Sequence, residues 1–227
     1  MGERLKKRIK IGIDVVMLAL FLYLMRYHPG MGLRLHAILG IALCVLFLLH
    51  HALNAKWYTA LFKGKYRFRR ILLTVSDFLL LFAMLAIMLS SFMISGLAFP
   101  ITFLPVAFYW RDIHVMSTAW GFMLMAFHLG LHMHGFLITI EKKMRETIFA
   151  YVVYLLELLV LGGGIYGFLQ SGLWNDMRML PQSRPPLSDL HFFAAHLGIV
   201  GGMCVVLHGL QIKEMKEMNR KNAVNIS

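Results

Sequence analysis

Residues 35–54, LHAILGIALCVLFLLHHALN, and residues 113–132, IHVMSTAWGFMLMAFHLGLH, superpose without a gap. The alignment puts His36 on His114, His50 on His128 and Asn54 on His132. Within each segment the first two histidines stand 14 positions apart. At 100° per residue that spacing falls about 40° short of four turns, so both look out from one helix face. Along the axis they are about 21 Å apart. Two such helices side by side present two stacked histidine pairs, one in each leaflet of a bilayer core about 30 Å thick.

A third segment, residues 190–209 (LHFFAAHLGIVGGMCVVLHG), keeps the opening histidine as His191. It places Val205 where the second should be and offers His196 and His208 instead. Those two are about 120° away from a shared face. Two helices therefore match closely and the third only in part.

Composition supplies the setting. The 227 residues are 59% hydrophobic and 15% charged, with mean hydropathy +0.69, against about 25% charged residues in a soluble domain. Six apolar spans are predicted at 11–27, 36–55, 71–95, 113–137, 148–169 and 190–212, each near the ~20 residues a transmembrane helix needs. Basic residues fix the orientation. Segments 1–10, 56–70, 142–145 and 213–221 hold all but five of the 23 Lys and Arg, the exceptions being Arg26, Arg34, Arg111, Arg178 and Arg184. The positive-inside rule then puts both termini in the cytoplasm. The net charge of +12 reads as topology and lipid contact, and no basic cluster is interleaved with a nucleic-acid motif. The first span lacks a small-residue cleavage site and is expected to be retained. Cys44 and Cys204 fall inside spans and suggest packing, not a disulfide; without Cys-x-x-Cys-His, covalent haem attachment is excluded.

Opposed imidazoles across a helix bundle are what a six-coordinate haem iron requires. A single membrane histidine is most simply an interhelical hydrogen bond, but four at matched depths favour ligation by His36, His50, His114 and His128. His132 shares the face of His114 and competes with His128 for the inner iron. Zinc or copper is the other chemical option; it fits less well, because the ligands lie at two depths with few acids beside them. Gly40 and Gly121 fall between the paired histidines, where a flat macrocycle needs close approach. His51 suits a supporting or propionate contact, and His134, at the cytoplasmic end, is expected to be solvated. Asp14 and Asp77 lie within odd-numbered spans, either as functional carboxylates or snorkelling to surface ion pairs. Glu157 is a protonated acid bonded to a neighbour or part of a proton route. Gly162, Gly163, Gly164 and Gly167 favour tight helix contact in the fifth span, and the 17 methionines serve as adaptable packing.

The stretches LHAILGIALCVLFLLHHALNAKW and IHVMSTAWGFMLMAFHLGLHMHGF resemble the flavinylation-associated cytochromes, small bacterial membrane haem proteins. SSFMISGLAF, ending the third span, is similar to the Ser-Gly turn that family places before its second histidine helix. The likeness covers about residues 10–137, and the histidine spacing is also similar to the cytochrome b core of quinol-oxidising complexes. It implies a b-type cytochrome of the bacterial cytoplasmic membrane, with two haem b groups ligated by His36, His50, His114 and His128. Electrons would pass between a quinone pool or membrane donor and an extracytoplasmic flavoprotein.

The expected fold is thus an all-α integral membrane protein of six transmembrane helices. Residues 1–140 form a haem-binding four-helix bundle, and residues 141–227 an additional transmembrane hairpin with a short cytoplasmic tail. Competing functions are a quinol dehydrogenase or ferric reductase, with Trp174, Arg178 and Arg184 of the outer loop as binding residues, and a histidine-lined metal transporter. No flavin or nicotinamide fingerprint supports the enzyme reading.

Overall fold

The computed structural model describes residues 2–98, 109–145, 150–182 and 187–224. Three features of the sequence reading lie outside them: Ile148 at the start of the fifth predicted span, Phe99 at the end of SSFMISGLAF, and Arg184 in the outer loop. The described residues are helical and contain no strand. The longer helices are α1 (Glu3–Met25), α2 (Leu33–Leu53), α4 (Phe68–Met93), α5 (Tyr109–Arg145), α6 (Ala150–Ser171) and α8 (Asp189–Val224). Two short ones, α3 (Lys56–Ala60) and α7 (Leu173–Asp176), lie between them.

Five helices are long and apolar enough to cross a membrane, over Leu33–Leu53, Phe68–Met93, Tyr109–Ile140, Tyr151–Ser171 and Asp189–Met215. Helix α1 is not one of them. Every 18-residue stretch within it holds at least three charged side chains, because even the last includes Arg8, Lys10 and Asp14. The apolar helices carry large side chains on their outer faces, among them Phe82 on α4, Leu158 and Tyr166 on α6 and Leu197 on α8. Water would penalise such faces at about 25 cal/mol per Å², whereas lipid tails do not. The chain is a multi-pass membrane protein.

Two compact units make up the chain: Met1–Tyr66 with Ala83–Thr118, and Arg67–Phe82 with Ala119–Ser227. In the first, α1 and α2 form a hairpin whose turn ends at Gly32, where φ is +77°, a conformation that side chains with a Cβ seldom adopt. Phe21, Leu22, Leu43 and Phe47 are buried there. In the second, α6 and α8 pack with their backbones nearly touching. A Cβ on Gly164 would sit 2.7 Å from the Gly198 carbonyl oxygen, and one on Gly167 would sit 2.5 Å from that of Ala195. Small residues at such a crossing let dispersion and weak backbone contacts hold two helices where no hydrophobic drive exists. A Cβ on Gly162 or Gly163 would itself meet nothing within 4 Å, but one on Gly198 would lie 3.1 Å from the Gly163 carbonyl oxygen, so Gly163 belongs to the crossing as expected.

Candidate histidine metal centres

His36 sits in the first turn of α2, just after Gly32, and His114 in the second turn of α5. The first unit brings their rings together, with centroids 6.2 Å apart and planes at 77°. Tyr27 stands edge-on to His36 at 5.0 Å. Nδ1 of His114 lies 3.3 Å from Ser90 Oγ and 3.2 Å from Ser91 Oγ. Ser90 is fully buried and donates its own hydroxyl to the Ala86 carbonyl at 2.7 Å. Its oxygen is therefore left to accept, which puts the imidazole hydrogen on Nδ1 and the lone pair on Nε2. A metal-bound histidine is commonly held this way, through its other nitrogen. Nδ1 of His36 is buried with no hydrogen-bond partner among the described residues.

The spacing suits one metal ion between the two rings. With metal–nitrogen bonds of about 2.0–2.1 Å, opposed imidazoles have ring centres roughly 6 Å apart. Gly40 lies one turn along α2 from His36, and a Cβ there would meet nothing within 4 Å. Gly121 is buried on α5, in the second unit.

At the other end of the α1–α2 hairpin, two cross-links follow one antiparallel register. Lys10 Nζ donates to Asn54 Oδ1 at 2.8 Å, and one turn further along α1, Asp14 Oδ1 lies 2.7 Å from His50 Nδ1. Asn54 also donates to the His50 carbonyl at 2.9 Å. His51 turns elsewhere, with Nδ1 2.7 Å from Tyr58 Oη and its ring 4.4 Å from Phe47.

The second unit repeats the carboxylate contact. Asp77 Oδ1 on α4 lies 2.8 Å from His128 Nδ1 on α5. The His132 ring is 4.5 Å from that of His128. One ligand atom from each of Asp77, His128 and His132 falls within 4.8 Å of the others, close enough to share a metal ion. With the carboxylates ionised, Asp14 and Asp77 only accept, so His50 and His128 carry hydrogen on Nδ1 and leave Nε2 to a metal.

Four supporting residues were not assigned to these histidines by sequence reasoning. Among the described residues, Asp14 and Asp77 engage histidines and not the neighbouring basic flanks, while Ser90 and Ser91 stood in the quoted SSFMISGLAF without a role. His134, expected in solvent, is 8% exposed, with Nδ1 2.9 Å from Nδ1 of His208. Helix α5 continues beyond the expected end of its span and α8 covers this face, so one ring must donate and the other accept.

The remaining histidines of α8 are engaged locally. His196 is buried, stacks on Phe192 at 3.9 Å and directs Nδ1 to the Phe192 carbonyl at 2.8 Å. His191 has Nδ1 2.7 Å from Ser188 Oγ. In the outer loop, the Arg178 guanidinium lies 4.6 Å over the Trp174 ring, and Trp120 Nε1 donates to the Met177 carbonyl at 3.0 Å. Comparison with protein-family models, with curated proteins and with solved structures finds no match to this chain, so the reading of its sites rests on their own geometry.

Proposed function

We propose that this protein is a b-type cytochrome of the bacterial cytoplasmic membrane, similar to the flavinylation-associated cytochromes. The observation that carries the reading is the opposed pair His36–His114, with ring centres 6.2 Å apart and the His114 Nδ1 held by buried serine oxygen. His36 and His114 are the proposed ligands of an outer haem. On the 14-residue spacing, His50 and His128 are the proposed ligands of an inner one, with His132 as the competing inner ligand. When bound, haem supplies a reversible one-electron exchange between ferric and ferrous iron. The chain fixes the imidazoles of His50, His114 and His128 through Nδ1 and spaces the two levels by about 21 Å along α2.

Helix α1 is read as a sixth span, its charged N-terminal turns in the headgroup region, so that both termini are cytoplasmic. The functional partners are a quinone pool or membrane donor on one side and an extracytoplasmic flavoprotein on the other. A visible absorption spectrum of the purified protein tests the proposal. Sharp reduced α and Soret bands that weaken in His114→Ala support it, and a colourless protein refutes it.

One observation favours a second reading. The Asp77, His128 and His132 ligand atoms, within 4.8 Å of one another, suit a divalent transition metal. A colourless protein that retains stoichiometric zinc or copper, and loses it in His132→Ala, selects this reading instead.

A further inference from the structure

We infer that the outer centre on His36 and His114 has one fixed and one releasable ligand, and that a small neutral diatomic molecule binds the ferrous iron at the position His36 gives up. The inference rests on the haem reading above and deepens it. Both rings belong to the first compact unit, with centroids 6.2 Å apart. They are held very differently. The His114 ring hydrogen-bonds the Ile87 backbone carbonyl, and Ser90 and Ser91 place Oγ at 3.3 and 3.2 Å from its Nδ1. All three acceptors come from the last two turns of α4. Nδ1 of His36 is buried with no hydrogen-bond partner among the described residues. Tyr27 stands edge-on to that ring at 5.0 Å, but an aromatic ring is a far weaker acceptor than oxygen.

The difference decides which iron bond gives way. A porphyrin face admits an imidazole through Nε2, because the Cβ beside Nδ1 would press on the macrocycle. Neutral His36 bound in that way keeps its hydrogen on Nδ1, where no oxygen of the described residues takes it. Such support commonly contributes about 10–100-fold to metal affinity, so the iron bond to His36 should be weaker than the bond to His114 by a factor of that order. Position adds to the contrast. His36 lies in the first turn of α2, whose N-cap Gly32 supplies no side-chain bond, and helix ends are where fraying begins. The ring can swing out with that turn, whereas His114 is tied to a neighbouring helix. The exchange is a substitution at iron. The iron–Nε2 bond to His36 breaks, a bond from iron to the incoming molecule forms, and no electron or proton is transferred. A neutral molecule reaches a site in the membrane without the desolvation cost that an anion bears.

Carbon monoxide is the probe, added to the full-length, haem-loaded protein after reduction with dithionite. The reduced Soret band should shift as the gas binds, at a rate that levels off with rising carbon monoxide because ring release becomes limiting. Removing the gas should restore the starting spectrum, since His36 stays attached to α2. Flash removal of the gas, followed at once by resonance Raman, then identifies the imidazole left on the iron. Its iron–nitrogen stretch should rise in Ser91→Asp, which offers Nδ1 of His114 a carboxylate and makes Nε2 more basic. It should fall when Ser90→Ala and Ser91→Ala are combined. Retention of His36 instead would leave that stretch in place in both variants. A reduced protein whose spectrum carbon monoxide does not change overturns the inference, and so does a stretch that neither variant moves. If the double variant fails to hold haem, the Ser91→Asp result alone decides. A wild-type protein with no haem refutes the underlying reading instead.

Discussion

Removing both serines behind His114 should loosen the outer haem where removing either alone does little. Ser90 and Ser91 place two hydroxyl oxygens at 3.3 and 3.2 Å from the same Nδ1. That nitrogen offers one hydrogen, so either oxygen can satisfy it. Ser90→Ala or Ser91→Ala alone should therefore cost under about 1 kcal/mol of haem affinity, since a typical hydrogen bond contributes about 0.5–1.5 kcal/mol and here the second acceptor remains. The double variant leaves that hydrogen only the Ile87 backbone carbonyl and, to the extent that it goes unpaired, costs about 1–3 kcal/mol. It also frees the imidazole to rotate, and loss of such support commonly lowers metal affinity about 10–100-fold. The single costs thus do not add up to the double, as expected for residues sharing one partner. Haem transfer to an excess of an apo-haemoprotein, followed in the Soret band, gives the release rates. A double variant that releases haem at the wild-type rate would refute the role assigned to the serines. So would a single variant that already shows the full loss.

Further outcomes follow from the same geometry. His191→Ala should leave both haems in place, since its Nδ1 bonds Ser188 at the start of α8; loss of haem absorbance in that variant contradicts this. Gly167→Leu should destabilise the α6–α8 pair by about 1–3 kcal/mol or more, as overpacking does, because even a Cβ would lie 2.5 Å from backbone. Thermal unfolding in detergent measures that effect, and an unchanged melting temperature counts against the close crossing. Reporter fusions after Lys143 and at the C-terminus should both give cytoplasmic signals, whereas a periplasmic signal from either means that a span is miscounted.

Much of this architecture could be read from the sequence because hydropathy along a membrane helix is so nearly uniform. The apolar runs located α2, α4, α5, α6 and α8, and aligning the two histidine segments matched His36 with His114, whose ring centres lie 6.2 Å apart. What periodicity does not carry is the register between antiparallel neighbours. Asp14 was recognised as an intramembrane acid, but its depth also suited a surface ion pair with the basic flank. Only the α1–α2 register, in which Lys10 reaches Asn54 and Asp14 reaches His50, separates the two. His134 was misjudged for a related reason. Depth alone placed it at the water boundary, whereas α5 continues as helix to Arg145 and α8 to Val224, so the ring is covered by a neighbour. The charged start of α1 has the opposite effect: its apolar part is recognisable, yet the helix that contains it is too charged to stand with the five apolar spans.

Counting haem decides whether, as proposed, His36 and His114 hold one haem and His50 and His128 another. A pyridine haemochrome assay on fully loaded, full-length protein should give two haems per chain, falling to one in His36→Ala and to one in His114→Ala. A wild-type count of one or none, or a His36→Ala protein that still holds two, contradicts the account.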